Sequence, residues 1–183
     1  MKKKYLSIIL CLSMIITLGS SGLVSTASTV LPGDELGGIR YELEDGKLIG
    51  NAQNVLNNTS IFNDFGGDGY VYLGETGDAV SLDIDVQESG NYEVYIVGGA
   101  VGNGRKCEKV YINDEPVWLT VPYEGDGVWN VCTIGSETYN GGIFDVSPVT
   151  GGHFFAKGKN TVKIDVFWGY ASYDSIILVP IDK

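Results

Sequence analysis

The sequence predicts an all-β protein, a jelly-roll β-sandwich of two antiparallel sheets. Apolar and polar residues alternate over short segments, as in 79–86, which is typical of a strand with one buried face. Turn-forming residues separate these segments, and glycine is abundant, at 26 of 183 residues. No segment long enough for a helix combines a 3.6-residue periodicity with capping residues. Short strands joined by turns, without helices, favour a sandwich.

The candidate strands follow one another along the chain. The segment 79–86 places Val80, Leu82, Ile84 and Val86 on one face and polar residues on the other. A short connection at Ser89-Gly90 leads to the next strand, and Asn113 to Pro116 form a turn. Further strands are predicted at 91–97, 110–112, 117–121, 128–134, 160–166 and 175–179.

The first 27 residues have the features of a secretory signal peptide. Three lysines precede an apolar segment from Tyr5 to Leu18, and Ser25-Thr26-Ala27 offers small residues for cleavage. The apolar segment is shorter than the roughly 20 residues of a membrane span. We therefore expect a secreted protein without a membrane anchor. Residues 28–39 are then a leader, and residues 40–183 form one β-sandwich domain.

The charge balance limits the classes of partner. The formal net charge is −11, and removal of the three N-terminal lysines makes the exported chain more acidic still. A strongly acidic surface repels phosphate groups, so nucleic acid and anionic membrane are not expected partners.

Two cysteines remain after export, Cys107 and Cys132. An oxidising compartment permits a disulfide between them, but spacing along the chain does not show whether they approach each other. Two buried thiols are the alternative.

Acidic residues occur in the first and last strands of the predicted domain. Glu42 and Glu44 are two residues apart, so one strand would place both carboxylates on the same face. If the last strand lies beside the first, Asp174 completes a set of oxygen ligands of the kind that Ca²⁺ prefers. The alternative places the three carboxylates at a solvated sheet edge.

Catalytic groups are scarce. His153 is the single histidine, and no nucleophile motif accompanies it. Two cysteines far apart and one histidine have no spacing that indicates a zinc site. On one strand, the carboxyls of Glu42 and Glu44 would lie about 6 to 7 Å apart and point the same way, instead of flanking a glycosidic bond.

Aromatic residues in glycine-rich segments suggest a sugar-binding surface. The segments 123–130 and 167–173 combine aromatic rings with polar residues such as Asn130. The apolar face of a pyranose ring stacks on indole or phenol, while its hydroxyl groups bond to polar side chains. Trp118 and Phe167 are expected to pack inside, whereas Trp129 fits either the edge of the core or a ligand platform.

Several short motifs in order resemble carbohydrate-binding modules of family 35, or the related family 6. The resemblance covers residues 40–182. It rests on Tyr41-Glu42-Leu43-Glu44-Asp45-Gly46, Gly66-Gly67-Asp68-Gly69-Tyr70-Val71, Gly77-Asp78-Ala79-Val80, Ser89-Gly90-Asn91-Tyr92, Val110-Tyr111-Ile112-Asn113, Gly158-Lys159-Asn160-Thr161-Val162 and Tyr173-Asp174-Ser175-Ile176.

The resemblance implies a structural Ca²⁺ and a sugar site. The ion would be held by Glu42, Glu44 and Asp174. The sugar site would lie in loops at one end of the sandwich, and its residues map to Trp129, Trp168, Tyr170 and Tyr173, with Tyr72 as a possible opposite wall. Relatives often have Asn before the final Asp, where this chain has Tyr173, so the identity of the sugar stays open.

The function expected from this resemblance is non-catalytic binding of a plant cell-wall polysaccharide, with β-mannan or galactomannan as the first choice. Such modules are usually joined to secreted glycoside hydrolases, so a catalytic module is an expected partner. Two alternatives remain open: a small secreted glycosidase or lyase on the same scaffold, and an adhesion or structural domain that binds no sugar.

Overall fold

The computed structural model describes residues 30–56, 61–140 and 143–181, so the predicted signal peptide lies outside the described residues. Short 3₁₀ helices span Asp34–Leu36 and Leu43–Asp45. In the described ranges, no helix is long and apolar enough to cross a membrane. The strands there are β1 (Ile39–Glu42), β2 (Lys47–Ile49), β3 (Gln53–Leu56), β4 (Gly69–Leu73), β5 (Ala79–Val86), β6 (Gly90–Ala100), β7 (Lys106–Ile112), β8 (Glu115–Val121), β9 (Asn130–Asn140), β10 (Ile143–Pro148), β11 (His153–Phe155), β12 (Gly158–Trp168) and β13 (Ala171–Pro180).

The strands form two antiparallel layers, which confirms the predicted sandwich. In the first layer β6 and β13 are central, and β13 pairs along its other edge with β4 near its start and with β1 farther on. The second layer has the order β2, β5, β12, β7, β8, β9 and β10. β9 joins the layers, because its start pairs with β6 and its middle with β8.

One apolar core fills the space between the layers. Alternate residues of β5 and β12 point into it, as the sequence pattern predicts. The buried side chains include Val80, Leu82, Ile84, Ile96, Val110, Leu119, Val162, Ile164, Tyr173 and Ile176. This burial drives folding, at about 25 cal/mol for each Å² of apolar surface removed from water.

The predicted strands are all present, with small differences at their ends. The strand 79–86 coincides with β5, and Asn113 and Asp114 form the turn between β7 and β8 with positive φ angles of 49° and 72°. The short strands β2, β3, β4, β10 and β11 were not predicted. Each has six residues or fewer, which is too short for an alternating pattern to stand out.

The described part of the predicted leader packs against the domain. The Arg40 guanidinium donates to the Pro32 carbonyl and lies 3.0 Å from Asp34 Oδ1. The hydrogen bond from the Leu31 N–H lowers the pKa of the Asp34 carboxyl, with a smaller contribution from Arg40. Arg40 therefore ties residues 32–34 to the first strand.

Candidate functional site

Glu42, Glu44 and Asp174 all border residues 66–68. β1 runs beside β13 with Glu42 opposite Ser175. A bulge between Tyr173 and Ser175 holds Asp174 where β13 changes partner from β4 to β1. The charge on Asp174 contributes to raising the pKa of both glutamates, so the three carboxylates form one electrostatic cluster.

The route by which Glu44 reaches this cluster differs from the prediction. β1 ends at Glu42, and Glu44 lies in the 3₁₀ helix Leu43–Asp45, so the two glutamates do not alternate along one strand. Leu43, between them, is fully buried in the core. The tight turn, not the two-residue period of a strand, therefore brings the glutamates together.

A glycine-rich segment, residues 66–69, supplies backbone donors to the carboxylates. The Gly66 N–H donates to Asp174 Oδ1 at 2.7 Å, and the Asp68 N–H donates to Glu44 Oε1 at 2.9 Å. These bonds lower the pKa of the two carboxyls, but burial is the larger cause and raises both pKa values above their ordinary range.

Glycine lets this segment approach the carboxylates, which occupy the space that a side chain would need. A Cβ atom at Gly66 would overlap the carboxylate of Glu42, and one at Gly67 would overlap that of Glu44. Gly67 also has a φ of +54°, a backbone conformation that favours glycine. The segment therefore lies directly against the two glutamates.

Burial and the repulsion between neighbouring carboxylates make the ionised form of this cluster unfavourable. Burial raises the pKa of Glu42 to about 7, with further contributions from Asp174 and Glu44. One carboxylate oxygen of each glutamate, Oε2, is buried without a hydrogen-bond partner. Buried polar atoms of this kind need an explanation, and a bound cation is one.

Carboxylate oxygens are the ligands that a hard cation such as Ca²⁺ prefers. The three carboxylates are not, however, arranged around one point. In residues 30–56, 61–140 and 143–181, no group of three or more His, Cys, Asp or Glu side chains is arranged to hold a metal ion. The Arg40 guanidinium lies 2.9 Å from Asp174 Oδ2 and also donates to the Ser175 hydroxyl. Asp174 is thus already engaged, and Glu42 and Glu44 keep the oxygens open to a cation.

Arg40 was missed by the sequence analysis. It stands two residues before Glu42 on the same strand, so both side chains share a face. A basic residue in an acidic motif was the available signal.

Two of the predicted sugar-binding residues lie on an exposed turn. The aromatic turn, residues 168–170, joins β12 to β13. Trp168 is 59% exposed and Tyr170 is 41% exposed. Tyr72 is partly buried close to this turn, because it pairs with Ser172 at the start of β13. Burial raises the pKa of Tyr72, and the Tyr170 phenol adds to this effect. Lys106 places its Nζ 4.8 Å from the centre of the Tyr170 ring. These residues make an aromatic surface, and the Lys106 ammonium lies buried beneath it.

Trp129 belongs to a different group of aromatic rings. Its ring centre lies 4.3 Å from that of Phe62 and 5.5 Å from that of Tyr70, and its Nε1 donates to the Asn63 carbonyl at 2.7 Å. Asn130 is partly buried and donates to backbone carbonyls within its own loop. Trp129 therefore holds Phe62 and Asn63 at the edge of the core.

The loops that carry the two groups both lie beside the β6–β7 loop. The Gly102 N–H, in the β6–β7 loop, donates to Asp126 Oδ1 in the β8–β9 loop at 3.2 Å. A Cβ atom at Gly102 would lie 3.4 Å from the Tyr170 hydroxyl. The loop of Trp129 and the aromatic turn are thus joined through Gly102.

Three aromatic predictions are wrong, those for Tyr173, Phe167 and Trp118. Tyr173 is fully buried and its hydroxyl donates to Glu108 Oε1 at 3.1 Å, so it cannot contact a sugar. The bulge in β13 turns Tyr173 toward the core. Phe167 is 42% exposed instead of packed inside, and it meets the ring of Trp118 edge-on at 4.9 Å on the outer side of the second layer.

The remaining candidates are buried or partly buried. Cys107 and Cys132 are buried thiols in the structure, and burial raises the pKa of the Cys132 thiol to about 12. His153 is partly buried, burial lowers its pKa, and its Nε2 has no hydrogen-bond partner.

Comparison with known proteins identifies carbohydrate-active enzymes. No family model matches the chain. Over 144 residues, 76% of the chain, it is 26% identical to mannan endo-1,4-β-mannosidase A of a Piromyces species. The chain spans 20% of the length of that enzyme.

Solved structures with the same fold are also parts of larger carbohydrate-active enzymes. A cycloisomaltooligosaccharide glucanotransferase from a Paenibacillus species has a TM-score of 0.60 at 21% identity, covering 76% of this chain and 18% of that one. The Podospora anserina GH26-CBM35 β-(1,4)-mannanase has a TM-score of 0.56 at 21% identity, covering 80% and 28%. An exo-β-1,3-galactanase from Phanerochaete chrysosporium has a TM-score of 0.55 at 20% identity, covering 77% and 29%. At these identities the likeness concerns the fold.

Proposed function

We propose that this chain is a non-catalytic carbohydrate-binding module of the family 35 type, which holds a secreted enzyme against a plant polysaccharide. The observation that carries the proposal is the exposed pair Trp168 and Tyr170, on a turn next to Lys106. The shared fold with segments of carbohydrate-active enzymes supports it, as does the sequence similarity to a mannosidase.

Binding would combine stacking with hydrogen bonds. The indole of Trp168 and the phenol of Tyr170 offer flat apolar faces to a pyranose ring, and the Tyr170 hydroxyl offers a polar contact. A shallow exposed surface of this kind gives weak binding, about micromolar to millimolar in Kd.

The proposed ligand is β-mannan or galactomannan. Two of the similar proteins act on mannan by their names, one matched by sequence and one by fold. The exo-β-1,3-galactanase makes galactan the next candidate.

We propose that Ca²⁺ binds at Glu42 and Glu44, with Asp174 close by. Their buried Oε2 atoms without partners support this assignment. A divalent cation would supply the positive charge that lets these carboxyls ionise in a buried place, and its role would be structural.

The expected partner is a catalytic module on the same or an associated polypeptide, exported to the cell exterior. A module that holds an enzyme on its polymer raises the local concentration of substrate sites without any new catalytic contact. The position of similar segments within larger enzymes supports this role.

Affinity electrophoresis against mannan, galactomannan, galactan, xylan and pectin, with and without a chelator, tests the proposal. We expect retardation by mannan or galactomannan, and its loss in a Trp168→Ala/Tyr170→Ala double variant that remains folded. Equal mobility of the parent protein in all gels would contradict the proposal and favour the adhesion alternative.

The enzyme alternative has one specific observation in its favour. Glu42, whose pKa burial raises to about 7, lines a groove of about 550 Å³ together with Tyr41 and Asp83. A carboxyl with such a pKa is a possible general acid. Release of reducing sugar from mannan, pectin or xylan by the parent protein, and its loss in Glu42→Gln, would establish this alternative.

A further inference from the structure

Two ionisable residues lie buried beneath the aromatic turn. Lys106 is 6% exposed and Glu108 is fully buried. They are two positions apart on β7, so they share a face of the strand. Charged side chains in such places are costly unless paired, and a hydrophobic pair often stabilises a fold equally well. Their partners therefore indicate what they do.

Glu108 connects the two strands that enter and leave the turn. Its Oε2 accepts a hydrogen bond from the Phe167 N–H at 2.8 Å, and its Oε1 accepts one from the Tyr173 hydroxyl at 3.1 Å. Phe167 lies at the irregularity in the pairing of β12 with β7, and Tyr173 lies in β13. One carboxylate thus fixes the chain on both sides of residues 168–170.

Lys106 supports the middle of the same turn. Its Nζ donates to the Asn103 carbonyl at 3.2 Å and lies 4.8 Å from the centre of the Tyr170 ring. A Cβ atom at Gly169 would overlap the Lys106 side chain, and Gly169 has a φ of +95°. The turn therefore lies directly on the lysine side chain.

We propose that Lys106 and Glu108 are positioning residues, which hold the aromatic turn so that Trp168 and Tyr170 present their rings to a sugar chain. This inference rests on the proposed function for its consequence in binding. Its structural part, the orientation of the turn, stands without a ligand. It also explains why β7 places two ionisable residues where apolar side chains would serve the core.

The first experiment is carried out on the ligand-free protein. Amide NMR shifts are compared for the parent, Glu108→Leu, Glu108→Gln and Lys106→Met. Glu115→Leu and Lys159→Met serve as controls, because both residues are exposed and Lys159 pairs with Asp83 at the far end of β12. We expect Glu108→Leu and Lys106→Met to shift the Gly169 and Tyr170 amides.

Glu108→Gln should leave these shifts near those of the parent, because its amide oxygen accepts from the Phe167 N–H and its amide nitrogen donates to the Tyr173 oxygen. If Glu108 served stability alone, Glu108→Leu would lower the melting temperature but leave the Gly169 and Tyr170 amide shifts unchanged. Should Glu108→Leu fail to fold, Glu108→Gln and Lys106→Met decide the question.

The second experiment measures retardation by the polysaccharide that binds the parent. We expect about tenfold weaker binding for Glu108→Leu, about fivefold for Lys106→Met, and less than about twofold for Glu108→Gln and the controls. Folded Glu108→Leu or Lys106→Met protein with parental amide shifts and affinity would overturn the inference, as would equal losses in Glu108→Gln and Glu108→Leu. If the parent binds none of the polysaccharides, the proposed function fails, while the amide shifts still test the positioning.

Discussion

At the scale of single residues, burial separates aromatic side chains that the sequence alone groups together. Trp168 and Tyr170 are exposed on the aromatic turn, whereas Tyr173 is fully buried and Trp129 packs against Phe62. All four were predicted to contact sugar. Only the first two have the exposure that stacking on a pyranose requires, so the ligand contacts and the packing contacts are separable by mutation.

Trp168→Ala should affect polysaccharide binding, whereas Trp129→Ala should affect stability. Trp168→Ala should change the free energy of unfolding by less than about 0.5 kcal/mol, because the ring is largely exposed, and it should weaken polysaccharide binding. Trp129→Ala removes two ring contacts and the hydrogen bond to Asn63, so it should cost about 2 kcal/mol or more. Urea titration and affinity electrophoresis measure the two effects. A stability loss in Trp168→Ala alone would show that the roles are reversed.

At the scale of elements, the glycine segment 66–69 and the bulge in β13 build the carboxylate cluster. The segment supplies N–H donors to Asp174 and Glu44, and the bulge sets Asp174 beside the end of β1. Neither element has a signature of its own in the pattern of apolar residues. Their effect arises because β13 pairs with β4 and then with β1 along the same edge.

Gly66→Ala should destabilise the protein because the added Cβ would overlap the Glu42 carboxylate. The expected loss is about 1 to 3 kcal/mol, typical of overpacking. Gly90→Ala is the matched control, since its Cβ would meet only the Tyr92 ring at an ordinary 3.9 Å. Thermal unfolding of both variants is the measurement. Equal stability of Gly66→Ala and the parent would show that the segment does not press on Glu42.

At the scale of the whole molecule, buried acids make stability depend on pH. The pKa of Glu42 is raised from 4.5 to about 7 and that of Glu108 from 4.5 to about 8, in each case chiefly by burial. Between pH 4.5 and these values, the folded protein binds more protons than the unfolded chain. These two acids therefore make stability fall as pH rises through that window.

Melting temperatures measured in chelator from pH 4.5 to 8.5 should decline with rising pH. Glu108→Gln should flatten the decline up to pH 8, because an amide does not ionise and can keep both hydrogen bonds. A rise of the melting temperature over this range would contradict the burial of these two acids.

Added Ca²⁺ should raise the melting temperature most at the upper end of this pH range, where the glutamates would ionise. Binding to the folded state alone stabilises by about 2.7 kcal/mol at 100 times the Kd. Glu44→Gln should remove most of that response because it removes a charged oxygen ligand. A calcium response that persists in Glu44→Gln would place the ion elsewhere.

The sequence by itself determined the sandwich and the residue types of the cluster, because alternation along β5 and β12 reports which residues share a face. It also predicted that Glu42 lies near Asp174 if the first and last strands are neighbours, and the pairing of β1 with β13 meets that condition. The tertiary structure decided that Tyr173 lies in the core and that Glu44 reaches the carboxylate cluster through a 3₁₀ turn. It also showed that Arg40 pairs with Asp174, and that Lys106 and Glu108 lie buried under the aromatic turn. A two-residue period distinguishes the faces of a strand, but pairing between residues far apart in sequence decides which face is buried and where a bulge reverses it.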